Sequence, residues 1–251
     1  MTGTMTTEHS TERNRLLHAM PPEALELLRP RLEPFSLELR QVVYEPMEPI
    51  SYAYFPADGA ISILALAGPD ETVEVGTVGF DGFSGLPLIF GVDREPFQAI
   101  CQSPTTGWRI SADDLRRVCE RDAVLGVLLR YAQAYHVQAG QASACNRSHS
   151  LEERCARWLL QMHDRARRSD FILTHDFLAG MLGVRRAGVT VAAGHLQASG
   201  LIRYKRGLVS VLDRPGLEAA SCDCYRIVAE SYDAIFPVQE STSSPEVMAG
   251  H

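Results

Sequence analysis

Lysine is almost absent from this chain, and its 24 basic residues are outnumbered by 31 acidic ones. Of its 251 residues a single one is lysine, Lys205, and the formal net charge is −7. Binding nucleic acid through a uniformly positive surface is therefore excluded, and any such contact must come from a local patch. Long apolar runs are missing as well. No stretch of about 18 apolar residues occurs, so no membrane-spanning helix is expected. The opening "MTGTMTTEHSTERNR" lacks the apolar segment of a secretory signal, and residues 1–15 read as a disordered leader. The six cysteines, Cys101, Cys119, Cys145, Cys155, Cys222 and Cys224, lack the dense spacing of a disulfide scaffold. A reducing, cytoplasmic setting follows. No C-x-x-C pair is present, so no metal site is expected; Cys222 and Cys224 are the one close pair, and chance spacing explains them as well as metal or redox use does. Glycine-rich nucleotide loops, nucleophile elbows and metal-ligand clusters are also lacking, which argues against an enzyme. Asp113-Asp114 reads as a helix start instead of an acid pair.

What is there is unevenly distributed. Residues 147–206 carry 11 basic and 5 acidic residues, whereas both flanks are acidic. The acidic total therefore conceals one basic block. At 45% hydrophobic and 22% charged residues the composition is that of a globular protein with room for one large or two ordinary domains.

The residue patterning changes character along the chain. Residues 16–33 contain a short helix that starts at Pro21-Pro22. Residues 35–110 are short alternating apolar runs broken by Pro, Gly and Asp, which predicts several short β-strands in a barrel or jelly-roll-like sandwich. From Ser111 the period becomes helical. "AVLGVLLRYAQAYHVQAGQASACNRSH" runs without proline, and Leu125, Leu128, Ala132, Tyr135, Ala139 and Ala142 recur three to four apart. That stripe predicts either a homodimer helix or an ordinary core helix. Ser150 and Glu153 form a capping-box pair that opens the next helix, which places a domain boundary between Asn146 and Ser150.

"THDFLAGMLGVRRAGVTVAAGHLQASGLIRYKRGLVSVLD" holds the most specific pattern. Thr174 can cap a helix with Leu178 and Leu182 on its inner face. Gly183 suits a sharp turn, and Val189, Ala192 and Leu196 line the inside of a second helix that Gly200 can end. Arg185, Arg186 and Thr190 lie on the outer face of that helix, with Gln197 further along. A hairpin tipped by Lys205-Arg206 follows. This is a helix-turn-helix with a basic wing, suited to a DNA major groove and its phosphates. The other reading is a helical hairpin and a β-hairpin in an unrelated fold.

These segments together, over roughly residues 20–220, resemble the Crp/Fnr superfamily of bacterial transcription regulators. The resemblance implies an α+β chain. A cyclic-nucleotide-binding-like β-roll sensor would occupy residues 16–120, a long dimerisation helix and hinge 121–149, and a winged helix-turn-helix 150–220. A partly disordered extension would follow at 221–251. It implies a homodimer on a near-palindromic operator, with Thr174, His175, Arg185, Arg186, Thr190, Lys205 and Arg206 on the DNA. RNA polymerase and an unknown small-molecule effector are the further partners it implies. The alternative from another class is a ligand-binding or protein-interaction module whose winged helix does not read DNA.

"GFDGFSGLPLIFG" resembles the segment where cyclic-nucleotide-binding relatives keep their phosphate cassette, and it departs from it. Phe83, within Gly82–Gly85, stands where the ribose-binding Glu would be. Phe97, in "FQA", stands where the phosphate-binding Arg would be. Phenylalanine supplies neither interaction, so cAMP and cGMP are not expected. The sensor pocket predicted from this match is Gly82, Phe83, Ser84, Gly85, Phe97 and Gln98. Arg94 is a nearby charge in an inserted loop. No cysteine precedes Cys101, against an iron–sulfur sensor of the family's kind, and His136 reads as an interface histidine in preference to a haem ligand. On the recognition helix Arg186 matches the family's first base-reading Arg, while Ala187 and Val191 replace the next two polar positions.

Overall fold

The computed structural model describes residues 13–68, 71–167 and 170–236. The rest of the expected leader (1–12) and tail (237–251) lies outside them. Residues 13–15 do not belong to a disordered segment. Asn14 is fully buried; its side chain caps α1 (Arg15–His18) and donates to the carbonyls of Pro56 and Gly82. Helix α2 (Pro22–Leu28) and a 3-10 turn (Arg29–Arg31) follow.

The β-domain is a five-stranded antiparallel sheet in the order β1 (Glu33–Leu37), β5 (Phe97–Ser111), β3 (Tyr52–Gly68), β4 (Glu71–Val78), with β2 (Val42–Tyr44) also paired to β5. The sequence predicted several short strands. Instead β3 and β5 run for 17 and 15 residues. Pro56, Gly59, Pro104 and Gly107 do not end them. They fall where the β3–β5 register shifts between Pro56 and Ile61, so the breaks become bulges that bend two long strands. Pro34 sits on β1, an edge strand. Phe35, Phe55, Ile61, Phe83, Trp108, Ile110 and Leu115 fill the core of this domain.

Ser111 caps α3 (Ala112–Cys119) by accepting from the Asp114 N–H. Helix α4 (Asp122–Ser148) then crosses the β-domain. Its inner face is Val124, Val127, Leu128, Tyr131, Ala134 and Gln138. This shifts the expected dimer stripe. Leu128 is wholly buried in the sensor core, Tyr135 packs on that core, and Ala142 faces β4 across a small hollow, so these side chains are committed inward. Leu125, Ala132 and Ala139 are half-buried beside the exposed face of Leu129, His136, Gly140 and Ser143. The mismatch arises because both faces of α4 carry small and apolar residues, so spacing alone does not tell which one meets the sheet.

The capping box at Ser150–Glu153 opens α5 (Leu151–Ala166). Next come β6 (Asp170–Ile172), α6 (His175–Leu182), α7 (Arg186–Ala198), the hairpin β7 (Ile202–Lys205) and β8 (Leu208–Val211), and α8 (Arg214–Ala220). Trp158, Leu159, Leu178, Leu182, Val189, Leu196, Val209 and Leu217 make their core, which is continuous with Ala60, Leu64 and Ile100 of the β-domain. Where the sequence suggested a partly disordered extension from 221, α9 (Cys224–Asp233) is an ordered helix whose Val228 and Tyr232 complete the sensor core. No helix among the described residues is long and apolar enough to cross a membrane.

Candidate nucleic-acid interface and sensor cavity

The turn between α6 and α7 is fixed by local chemistry. Thr174 caps α6 by accepting from the Phe177 N–H at 3.2 Å, and Gly183 ends it in the left-handed conformation at φ 62°. A side chain is excluded there a second time, because a Cβ would come 2.9 Å from Val73 Cγ2 of β4. The helix-turn-helix thus lies directly against the sensor sheet.

Helix α7 begins at Arg186 with Arg185 as its N-cap, and both side chains are exposed. Arg186 Nε lies 3.5 Å from Asp176 Oδ1. Thr190 is one turn further along the same face, and Ala187 and Val191 are exposed beside it, Val191 at 58%. His175 is less free than expected. Its Nδ1 is 3.0 Å from Thr190 Oγ1, and its ring centroid is 4.4 Å from that of Tyr204. Burial, with the Arg186 charge second, holds its pKa below the usual histidine value. His175 therefore ties α6, α7 and the hairpin together. Gln197, expected on the outer face, uses its side-chain oxygen to accept from the Tyr204 N–H at 2.7 Å.

The hairpin turns at Arg206 and Gly207, both left-handed (φ 53° and 76°), as a two-residue turn between twisted strands requires. Lys205 and Arg206 are exposed at its tip. Arg203, which sequence reasoning passed over, is exposed on β7 of the same hairpin. Arg185, Arg186, Thr190, Lys205 and Arg206 thus share an exposed helix-and-wing surface, while Thr174 and His175 support it from beneath.

The expected sensor residues gather around a cavity of about 310 Å³. Its walls include Ile63, Val78, Phe83, Leu86, Phe90, Phe97 and Tyr135, together with Ser84 and Gly85. Gly82 lies behind this wall against Tyr131, and Gln98 turns away to bond Glu45 at 2.6 Å, so these two do not line it. Phe83 is 1% exposed; its ring centroid is 5.3 Å from that of Phe55 and 5.1 Å from that of Tyr131. A polar corner is formed by Tyr44, whose hydroxyl donates to Glu95 at 2.5 Å, and by the buried Ser84, whose hydroxyl has no partner within 3.5 Å among the described residues. Burial raises the pKa of Glu95. Among the described residues no basic side chain lines the cavity, and Arg94 instead donates to the Met47 carbonyl.

The cavity and the helix-turn-helix share β4. Tyr135 packs so closely on Gly76 that a Cβ there would meet its hydroxyl at 2.3 Å. Two residues away Glu74 accepts from Trp158 Nε1 of α5 at 3.0 Å, and Val73 touches the turn at Gly183. Beside these, Arg165 of α5 reaches both Asp81 (3.3 Å) and Gln138 of α4 (3.0 Å).

Residues 153–220 match the family model described as the Crp-like helix-turn-helix domain. A comparison with curated proteins finds no match. Several solved structures are similar. FixK2 from Bradyrhizobium japonicum is 18% identical with a TM-score of 0.65, over 76% of this chain and 98% of that one. The c-di-GMP responsive global regulator CLP of Xanthomonas campestris is 18% identical with a TM-score of 0.62, over 76% and 99%. A CRP/FNR-family transcriptional regulator from Thermus thermophilus is 22% identical with a TM-score of 0.58, over 75% and 98%. The chain therefore carries a Crp-like helix-turn-helix domain on a β-roll, in the fold of the Crp/FNR transcription regulators.

Proposed function

We propose that this protein is a homodimeric, sequence-specific DNA-binding transcription regulator whose β-roll responds to a signal other than a cyclic nucleotide. The exposed surface that joins Arg185 and Arg186 on α7 to Lys205 and Arg206 on the wing carries this reading. Arginines at the start of an exposed helix can reach guanine edges or grip phosphate, and a basic hairpin tip suits the backbone alongside. Exposed Ala187 and Val191 favour thymine methyls and DNA shape over further polar readout. The exposed face of α4 around Leu129, His136, Gly140 and Ser143 is the surface for the second copy.

The cavity suits a mainly apolar effector with one hydrogen-bonding group for the Tyr44–Ser84–Glu95 corner. With no cation among the described residues of its lining, it offers a cyclic phosphate no counter-charge. An occupant that moved Tyr135 would act on Gly76 and so on β4, the strand that holds Trp158 and the turn at Gly183. It would shift the position of the DNA-binding domain by as much as it prefers one arrangement over the other.

The test is binding of genomic fragments by the full-length protein across a salt series. A steep salt dependence together with selected sequences supports the reading. Absence of DNA binding at low salt overturns it in favour of a protein-interaction module.

A further inference from the structure

Away from both surfaces, four side chains converge where α4 ends and α9 begins. Cys145 sits in the last turn of α4 and His149 is its C-cap, while Cys222 and Cys224 flank the start of α9. Cys145 Sγ is 3.5 Å from Cys222 Sγ, Cys224 Sγ is 3.5 Å from His149 Nδ1, and all four donor atoms lie within 4.8 Å of one another. The three cysteines are buried and make a small cluster of their own. The geometry points to a tetrahedral Cys3His zinc site formed by Cys145, His149, Cys222 and Cys224, which clasps the end of α4 to the start of α9.

Three considerations carry this. The first is distance. Zn–S bonds of about 2.3 Å and Zn–N bonds of about 2.0–2.1 Å put tetrahedral ligand atoms about 3.5–3.8 Å apart; two of the pairs lie at 3.5 Å and the others within 4.8 Å, so small side-chain shifts close the site. Donors this convergent suit one ion and not a multi-atom iron–sulfur core. The second is charge. Arg154 and Arg157 of α5 are buried, and each has an Nε without a partner among the described residues; Arg157 feels the charge of Glu74, but no ion pair within 4.0 Å involves either arginine among those residues. Both lie close enough to Cys145 for their charges to act on it. Buried cations need counter-charge. Zinc with three thiolates and a neutral imidazole carries about −1 and supplies it. The third is the number of groups explained. A Cys145–Cys222 disulfide, with its bond of about 2.05 Å, would leave Cys224 and His149 unaccounted for.

Loading converts three thiols, one imidazole and Zn2+ into the complex and about three released protons, which balances the charge. The closed loop of roughly 80 residues between the ligand pairs contains the whole of α5 to α8. The metal would therefore fasten both ends of the DNA-binding domain to one point.

The test uses the full-length protein purified under reducing conditions without chelator. About one zinc per chain is expected by elemental analysis. Exchange for Co2+ should give visible tetrahedral d–d bands and a thiolate charge-transfer band. Zinc should fall at least tenfold in Cys224→Ser and in His149→Ala and stay unchanged in Cys155→Ser, whose thiol is buried elsewhere. The Co2+ spectrum of the unaltered protein decides the matter should the variants fail to fold. Substoichiometric zinc with no tetrahedral Co2+ spectrum overturns the proposal. So does a Cys145–Cys222 disulfide recovered by peptide mapping from chain with no metal.

Discussion

Trp158 donates its indole N–H to Glu74 across 3.0 Å, which joins the first helix of the Crp-like helix-turn-helix domain to β4 at the edge of the β-roll sheet. Ser62 donates to the other carboxylate oxygen at 2.5 Å. Burial nevertheless outweighs these bonds and holds the Glu74 pKa above the usual carboxylate range. The folded state thus binds this proton more tightly than the unfolded state does. Its contribution to stability is complete below the unfolded pKa and is lost as pH rises through the folded one. Glu74→Gln keeps an acceptor for Trp158 and removes the titration. Its melting temperature relative to the original protein should rise from about pH 4 to pH 8. Parallel melting curves over that range would show that Glu74 titrates normally.

Gly183→Ala should destabilise the protein by about 1–2 kcal/mol from the left-handed backbone alone, with an added contribution from the contact with Val73. Val73→Ala in the same chain should recover the added part and leave the backbone part. A double-mutant cycle by urea denaturation separates them, and strict additivity would mean that the turn does not press on β4.

Arg186→Ala should cost about 1–3 kcal/mol of affinity for a preferred operator and relax the choice of base at one position. Lys205→Ala should weaken all sequences alike and lower the salt slope by about 1. Fluorescence anisotropy over a salt series reads both. Equal losses on preferred and random DNA for Arg186→Ala would assign that side chain to phosphate.

The two neighbouring leucines of α4 should behave oppositely. Leu128 is wholly buried, and its change to Ala should cost about 2–5 kcal/mol in unfolding without altering the association state. Leu129 is 43% exposed. Leu129→Glu should leave the fold intact and raise the dimer dissociation constant at least tenfold in sedimentation equilibrium. A monomeric Leu128→Ala would restore the dimer stripe as first read from the sequence.

Phe83→Ala should destabilise the sensor by about 3–5 kcal/mol, since the ring is packed between Phe55 and Tyr131. Phe83→Glu should do worse, because no cation among the described residues lines the cavity to meet the charge, and it should give no cAMP affinity by calorimetry.

Much of this architecture is legible in the sequence, because local chemistry writes it. The Ser150–Glu153 box, the Thr174 cap and the left-handed Gly183 and Gly200 are dictated by backbone groups within a few residues. Phe83 and Phe97 speak in the sequence only against cyclic-nucleotide contacts; the cavity they line together with Ile63, Val78 and Tyr135 depends on the fold. What depends on distant packing is not written locally. Prolines that read as strand ends are bulges, because β3 and β5 each have a long neighbour to carry them through. The inner face of α4 is chosen by the sheet it meets. Cys145 and Cys222 are 77 positions apart, and no spacing rule links them.

Helix α9 is made after everything it packs on, yet its Tyr232 and Val228 lie in the core of the domain made first. Asp233 bonds Arg15 at 2.9 Å, and Phe236 lies under the same guanidinium, 4.3 Å from its centre. The core of the β-roll is therefore completed only by residues that follow the helix-turn-helix domain in the chain. A chain clipped before residue 228 would lose the Tyr232 ring, which lies 6.1 Å from that of Tyr131, and should be cut by proteases faster than the whole chain.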